Sequence, residues 1–166
     1  MINFSITRVT ILLFFSSAIL LPSFSANSQD LKNDLDSIKS ISKIWDNAFN
    51  DRDTSIYYKY VTNTFSMTVG GGTSTGIESF KNGTNALFKN RPDIIFVMRP
   101  ATIEVNKQWS LAYDTGEWIE SWTESTDLSK SKITGKYWRM WRKINNEWII
   151  MSIIFTPLTC AGSYCD

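Results

Sequence analysis

The chain has 166 residues, a net charge of +1 and no histidine. Without imidazole there is no Ser-His or Cys-His nucleophile pair, no histidine metal site and no histidine acid/base, so any proton transfer falls to Asp, Glu, Lys or Tyr. The near balance of charge also lacks the cationic excess that displaces counterions from nucleic acid. No nucleic-acid partner is expected, and the basic positions between Lys130 and Lys143 read as solvated strand edges.

Residues 1–26 read as a cleavable signal peptide. Arg8 introduces an apolar run over residues 9–21, and Pro22 ends it. That run is shorter than the roughly 20 residues of a bilayer-spanning helix. Small residues permit cleavage at 23–25 or at 26–28, and no cysteine is close enough for a lipid anchor. An uncleaved membrane anchor is the alternative. Loss of the segment removes Arg8 alone among charged residues, leaving Lys and Arg equal in number to Asp and Glu. The expectation is a secreted or periplasmic bacterial protein with no stable membrane anchor after cleavage. The remainder has single-domain length: a domain over 27–157 and a C-terminal tail over 158–166.

Along the chain, Leu31, Leu35, Ile38, Ile41, Trp45, Ala48 and Phe49 recur at helical spacing and predict a helix over 31–50. A short second helix is predicted after Asp53. Residues 65–69 alternate as a short strand, and Gly70, Gly71 and Gly72 break it as a flexible turn. They lack the Gly-Lys-Ser/Thr that completes a phosphate loop. Thr75 and Glu78 form a capping box for a third helix, which Pro92 closes. Strands are then predicted over 94–99 and 101–106 with a bend at Pro100, over 109–122, over 133–144 and over 147–156. Asn145 and Asn146 make a two-residue hairpin turn. Cys160 and Cys165 have four residues between them and read as a disulfide pinning the tail. A redox or metal role is the alternative, but two further zinc ligands are not evident, and no metal or other cofactor is expected.

Helices followed by a run of strands indicate an α+β fold, with helices over one face of a curved antiparallel sheet. The element order, with residues 45–53 (WDNAFNDRD), 111–118 (LAYDTGEW) and 135–143 (GKYWRMWRK) followed by Trp148, resembles the NTF2-like superfamily. The resemblance covers about residues 35–157 and is closest to the DUF4440 branch beside the SnoaL-like and ketosteroid isomerase-like proteins. It implies a conical barrel behind three N-terminal helices, a pocket between the first helix and the sheet, and usually a homodimer. The isomerase chemistry needs a carboxylate base with tyrosine and carboxylic acid oxyanion donors. Its positions fall on Trp45, Thr68 and Met140, so that chemistry is not expected.

The same mapping turns Tyr113, Thr115 and Glu117, Trp138, Met140 and Arg142, and Met151, Ile153 and Phe155 toward the cavity. The ligand-binding residues it implies are Trp45, Phe49, Tyr113, Glu117, Trp138, Arg142, Met151 and Phe155. Trp118, Tyr137 and Trp141 then lie on the outer face as a dimer interface, since large exposed aromatics call for a partner surface. A register slip of one residue would exchange the two sets. The expected function is binding of a small apolar or amphipathic ligand without catalysis. The alternatives are an isomerase or hydratase using Glu117 as general base, and a protein-interaction module. A structural Glu117–Arg142 ion pair is the bland account of those two residues.

Overall fold

The first helix, α1 (Ser23–Asn50), buries Ile38, Trp45, Ala48 and Phe49 along one stripe, as the spacing predicts. A computed structural model describes residues 23–165 of the chain. The expected signal peptide lies outside the described residues, apart from 23–26, which form the first turn of α1. The short α2 (Thr54–Lys59) is capped by Asp53, whose side chain accepts from the Ile56 N–H at 3.1 Å.

A hairpin follows, β1 (Val61–Val69) and β2 (Gly72–Thr75), turning at Gly70 and Gly71. β2 was too short and too polar to read as a strand. It also displaces the expected cap of α3 (Ile77–Asn90). Thr75 is extended and paired with Ser66, so the N-cap is Gly76 at φ 88°, without a side-chain bond.

The rest is a four-strand meander: β3 (Ile95–Asn106), β4 (Leu111–Thr123), β5 (Lys130–Ile144) and β6 (Glu147–Ala161). Asn145 and Asn146 at φ 49° and 67° make the tight β5–β6 turn. The sheet order is β2-β1-β6-β5-β4-β3. The expected antiparallel sheet holds except at β1–β6, which is parallel. The meander reaches β1 from across the fold rather than through a hairpin, so nothing forces a reversal of direction there. β6 also runs on through Pro157 as far as Ala161, with Thr159 opposite Thr134. The expected tail therefore begins as strand, and only its end forms a helical turn over Ser163–Cys165.

Two glycines let the sheet curl into a cone. A Cβ at Gly116 would stand 2.1 Å from the Arg99 carbonyl oxygen, and one at Gly135 would stand 2.1 Å from that of Thr156. Only glycine allows strands this close.

α1 covers the edge of β3 through side chains that imitate a neighbouring strand. Asn50 donates to the Phe96 carbonyl and accepts from the Phe96 N–H, both at 2.8 Å. One helical turn earlier, the Asp46 carboxylate bonds the Met98 backbone. Arg52 donates to the Pro92 and Ile94 carbonyls, each at 2.8 Å. A helical turn of about 5.4 Å nearly matches two strand residues, so side chains four apart serve strand residues two apart. At Phe96 and Met98, in the first half of β3, edge groups that would otherwise invite another strand are thereby engaged.

The structure reverses the expected faces of β4 and β5. Ala112, Asp114, Trp118, Trp122, Tyr137, Arg139 and Trp141 are buried on the concave side. Tyr113, Glu117, Trp138, Met140 and Arg142 alternate onto the convex side, where Tyr113 and Trp138 stack at 6.2 Å. The cause lies in β6, where the register shifts so that Met140 faces Ser152 but Trp141 faces Ile150. The extra residue, Met151, breaks the alternation. Ile150, Ile153 and Phe155 all bury, whereas Met151 is half-buried. Counting in twos along β6 therefore misassigns its neighbours.

Candidate functional site

The concave face holds two clusters of charge, each built from an arginine, a carboxylate and a tryptophan. The first is sealed. Asp114 and Arg139 are both 0% exposed. The Asp114 carboxylate accepts from Arg139 Nε and Nη2 at 2.9 Å each, from Tyr137 Oη at 2.6 Å and from Trp141 Nε1 at 2.6 Å. Arg139 Nη2 also donates to Ser42 Oγ at 2.6 Å, tying β5 to α1. Beside this pair, burial pushes the Asp46 carboxyl up to about 7, against the pull of Arg139. Its Oδ1 has no hydrogen-bond partner.

The second cluster faces a cavity of about 950 Å³ between α3, the β1–β2 hairpin and the concave sheet. Its aromatic wall comprises Phe49, Tyr57, Phe80, Phe96, Trp118 and Phe155. These rings interlock, with Phe96–Phe155 at 5.6 Å and Trp118–Phe155 at 5.3 Å. Arg91 and Glu120 are the only charged residues lining it among the described residues. Arg91 Nη1 donates to Glu120 Oε1 at 2.9 Å, and each side chain is 18% exposed. Burial raises the Glu120 carboxyl above the ordinary range, while Arg91 opposes the rise.

The tail completes this end of the cavity. The Cys160–Cys165 disulfide is formed as expected, Tyr164 N–H reaches Ser131 Oγ at 3.4 Å, and Ser163 Oγ meets Ser129 Oγ at 2.7 Å. Tyr164 thereby packs edge-on to Trp122 at 5.1 Å. The Arg91 guanidinium lies 3.6 Å from the Trp122 ring centre and 4.6 Å from that of Tyr164.

Of the expected ligand-binding residues, Phe49 and Phe155 line this cavity. Trp45 is core: it stacks on Tyr57 at 4.5 Å and donates to the Tyr57 carbonyl at 3.0 Å. Tyr113, Glu117, Trp138 and Arg142 lie on the convex face, and Met151 at the β6 bulge is not a lining residue. Glu117 is exposed and bonded to Lys136 at 2.8 Å, which holds its carboxyl below the usual range. A tuned general base calls for the opposite environment, and Glu117 does not line the cavity. Trp118 lines the cavity, while Tyr137 and Trp141 are core; none of the three belongs to an outer interface.

The residues missed are Arg91, Glu120, Trp122 and Tyr164. Arg91 and Glu120 are 29 residues apart, with no local spacing to link them. The strand faces did leave a trace: Lys130, Lys132, Lys136 and Arg142 share one parity of β5, marking that parity as the wet side. Among the described residues no group of His, Cys, Asp or Glu could hold a metal ion.

The fold is that of NTF2-like proteins. A putative scytalone dehydratase from Novosphingobium aromaticivorans superposes with a TM-score of 0.73 at 7% identity, covering 81% of this chain and 90% of that one. A hexachlorocyclohexane dehydrochlorinase, LinA type 2, gives 0.68 at 15% identity, covering 80% and 93%. An NTF-2-like protein of unknown function from Shewanella oneidensis gives 0.57 at 20% identity, covering 74% and 98%. At these identities the likeness establishes the fold alone. No family model matches the chain and no curated protein matches it in sequence, so the comparisons do not reach the DUF4440 branch.

Proposed function

We propose that the chain is an exported protein that binds one small apolar or amphipathic molecule in its cone cavity and performs no chemistry on it. The observation that carries this reading is the open cavity of about 950 Å³ with an aromatic wall and a single charged pair. That volume is at the upper end of the usual range for small-molecule sites. The chain has no histidine, and among the described residues the cavity lining offers no second carboxyl to work with Glu120 as an acid/base pair. The disulfide supports an oxidising destination, secreted or periplasmic.

Titration with N-phenyl-1-naphthylamine, a neutral dye that brightens in apolar surroundings, tests the reading. Saturable one-to-one binding is expected, and Trp118→Arg, which places a charge in the wall, abolishes it. Absence of binding to the folded wild type overturns the proposal.

A second reading has one observation in its favour. Glu120 is a carboxyl whose burial raises its proton affinity at a cavity wall, the environment of a general acid or base. An enzyme of isomerase or hydratase type would use Glu120 rather than Glu117. Turnover of any ligand found for the cavity, lost in Glu120→Gln, would select it.

We also propose a homodimer through the convex face. The outward set there is Tyr113, Trp138, Met140 and Ile154, the last 41% exposed. A contiguous apolar patch of this kind marks an association site, and a two-fold axis lets it meet itself. Sedimentation of the mature chain at micromolar concentration tests this, with Trp138→Glu expected to give a folded monomer.

A further inference from the structure

We infer that the Arg91–Glu120 pair selects a ligand with an uncharged head that both donates and accepts hydrogen bonds, of the class of a primary carboxamide on an apolar chain or ring. The inference rests on the cavity-binding reading above and specifies which ligand enters.

The pair is neutral as a unit and stands in an apolar wall. A guanidinium carries five N–H donors in a planar fork. Glu120 takes one of them. Trp122 and Tyr164 lie against the guanidinium, so its remaining capacity is at its edges. Among the described residues, the other guanidinium N–H groups of Arg91 meet no protein acceptor, and none of its nitrogens is a buried orphan. They are open to whatever occupies the cavity. Glu120 uses only Oε1 toward Arg91, which leaves Oε2 as an acceptor.

Charge decides between candidate heads. A carboxylate would bond Arg91 but set a second negative charge beside Glu120, in a wall that already disfavours the one it has. An ammonium would bond Glu120 but face Arg91. Either leaves an uncompensated charge out of water, which costs far more than a neutral bond returns. A carboxamide changes no charge. Its carbonyl accepts from an Arg91 edge and its N–H donates to Glu120 Oε2, so both open positions are filled at once. The apolar remainder then runs along Phe80, Phe96, Trp118 and Phe155.

Displacement of N-phenyl-1-naphthylamine from the disulfide-intact chain at pH 8 by dodecanamide, dodecanoate and dodecylamine tests this. Dodecanamide is expected to bind at least tenfold more tightly than either charged analogue. In Glu120→Gln, which keeps the shape and removes the negative charge, dodecanoate is expected to overtake the amide. In Arg91→Gln, dodecylamine gains instead. Wild-type affinities within threefold of one another, or a wild-type preference for the acid, overturn the inference whether or not the variants fold. An unchanged ranking in both folded variants does the same. Dye binding with a flat ranking defeats this inference alone, whereas no dye binding defeats the cavity reading beneath it.

Discussion

Asp114–Arg139 and Arg91–Glu120 are the same chemical pair in two conditions. The first is fully buried, and its carboxylate accepts four hydrogen bonds from three side chains. The second has one hydrogen bond and faces a cavity. A buried ion pair is tolerable only when further bonds satisfy its remaining lone pairs and protons. The sealed pair meets that condition and joins α1, β4 and β5 into one core. The open pair leaves donors and an acceptor unused at the cavity wall, which is why the proposed binding role is given to it. Saturation with hydrogen bonds, rather than residue type, separates the two pairs.

The largest expected effect comes from breaking the sealed pair. Asp114→Ala strands the Arg139 guanidinium in the core and should cost about 3–5 kcal/mol of stability, measured by urea denaturation. Glu120→Ala should leave the same denaturation midpoint nearly unmoved while changing ligand ranking. Equal losses in the two variants would erase the distinction between the pairs.

A smaller effect belongs to Asp46, at the margin of the sealed cluster. Its folded carboxyl titrates at about 7, against an ordinary 3.8. The folded state therefore holds the proton more tightly than the unfolded state. The stability this contributes is complete below about pH 4 and is lost as pH rises through about 7. Asp46→Asn keeps an acceptor for the Met98 backbone and removes the titration. Relative to wild type it should gain on the order of 2 kcal/mol between about pH 5.5 and pH 8, read from denaturation midpoints across that range. A flat difference would mean that Asp46 stays ionised.

The smallest effect is expected at the position the sequence favoured. Glu117 and Lys136 pair on the convex face with side chains 56% and 59% exposed, where water screens most of the attraction. Glu117→Gln should leave the melting temperature and the dye affinity unchanged. A loss of binding there would return the site to the other face of the sheet.

Local chemistry alone determined the parts of this protein that need no distant partner. The stripe Ile38, Trp45, Ala48 and Phe49 specified α1 because helix periodicity is a property of neighbours on one turn. Asp53 specified a cap, Asn145-Asn146 a hairpin, and Cys160 with Cys165 a short loop that can close. Together with the helix-then-strand order, these sufficed for the fold class. The site was not determined locally. Arg91 leaves the end of α3, Glu120 stands on β4 and Tyr164 on the tail, and only the curved sheet with α3 packed against it brings them together. Which face of β4 and β5 looks inward was also a tertiary decision. Both parities carry aromatics, so the alternation has no clear sign in the sequence. The sign is set by one extra residue in β6 and by two glycines that let neighbouring backbones approach. Because side chains alternate with a period of two, such a shift moves a complete face from water to core.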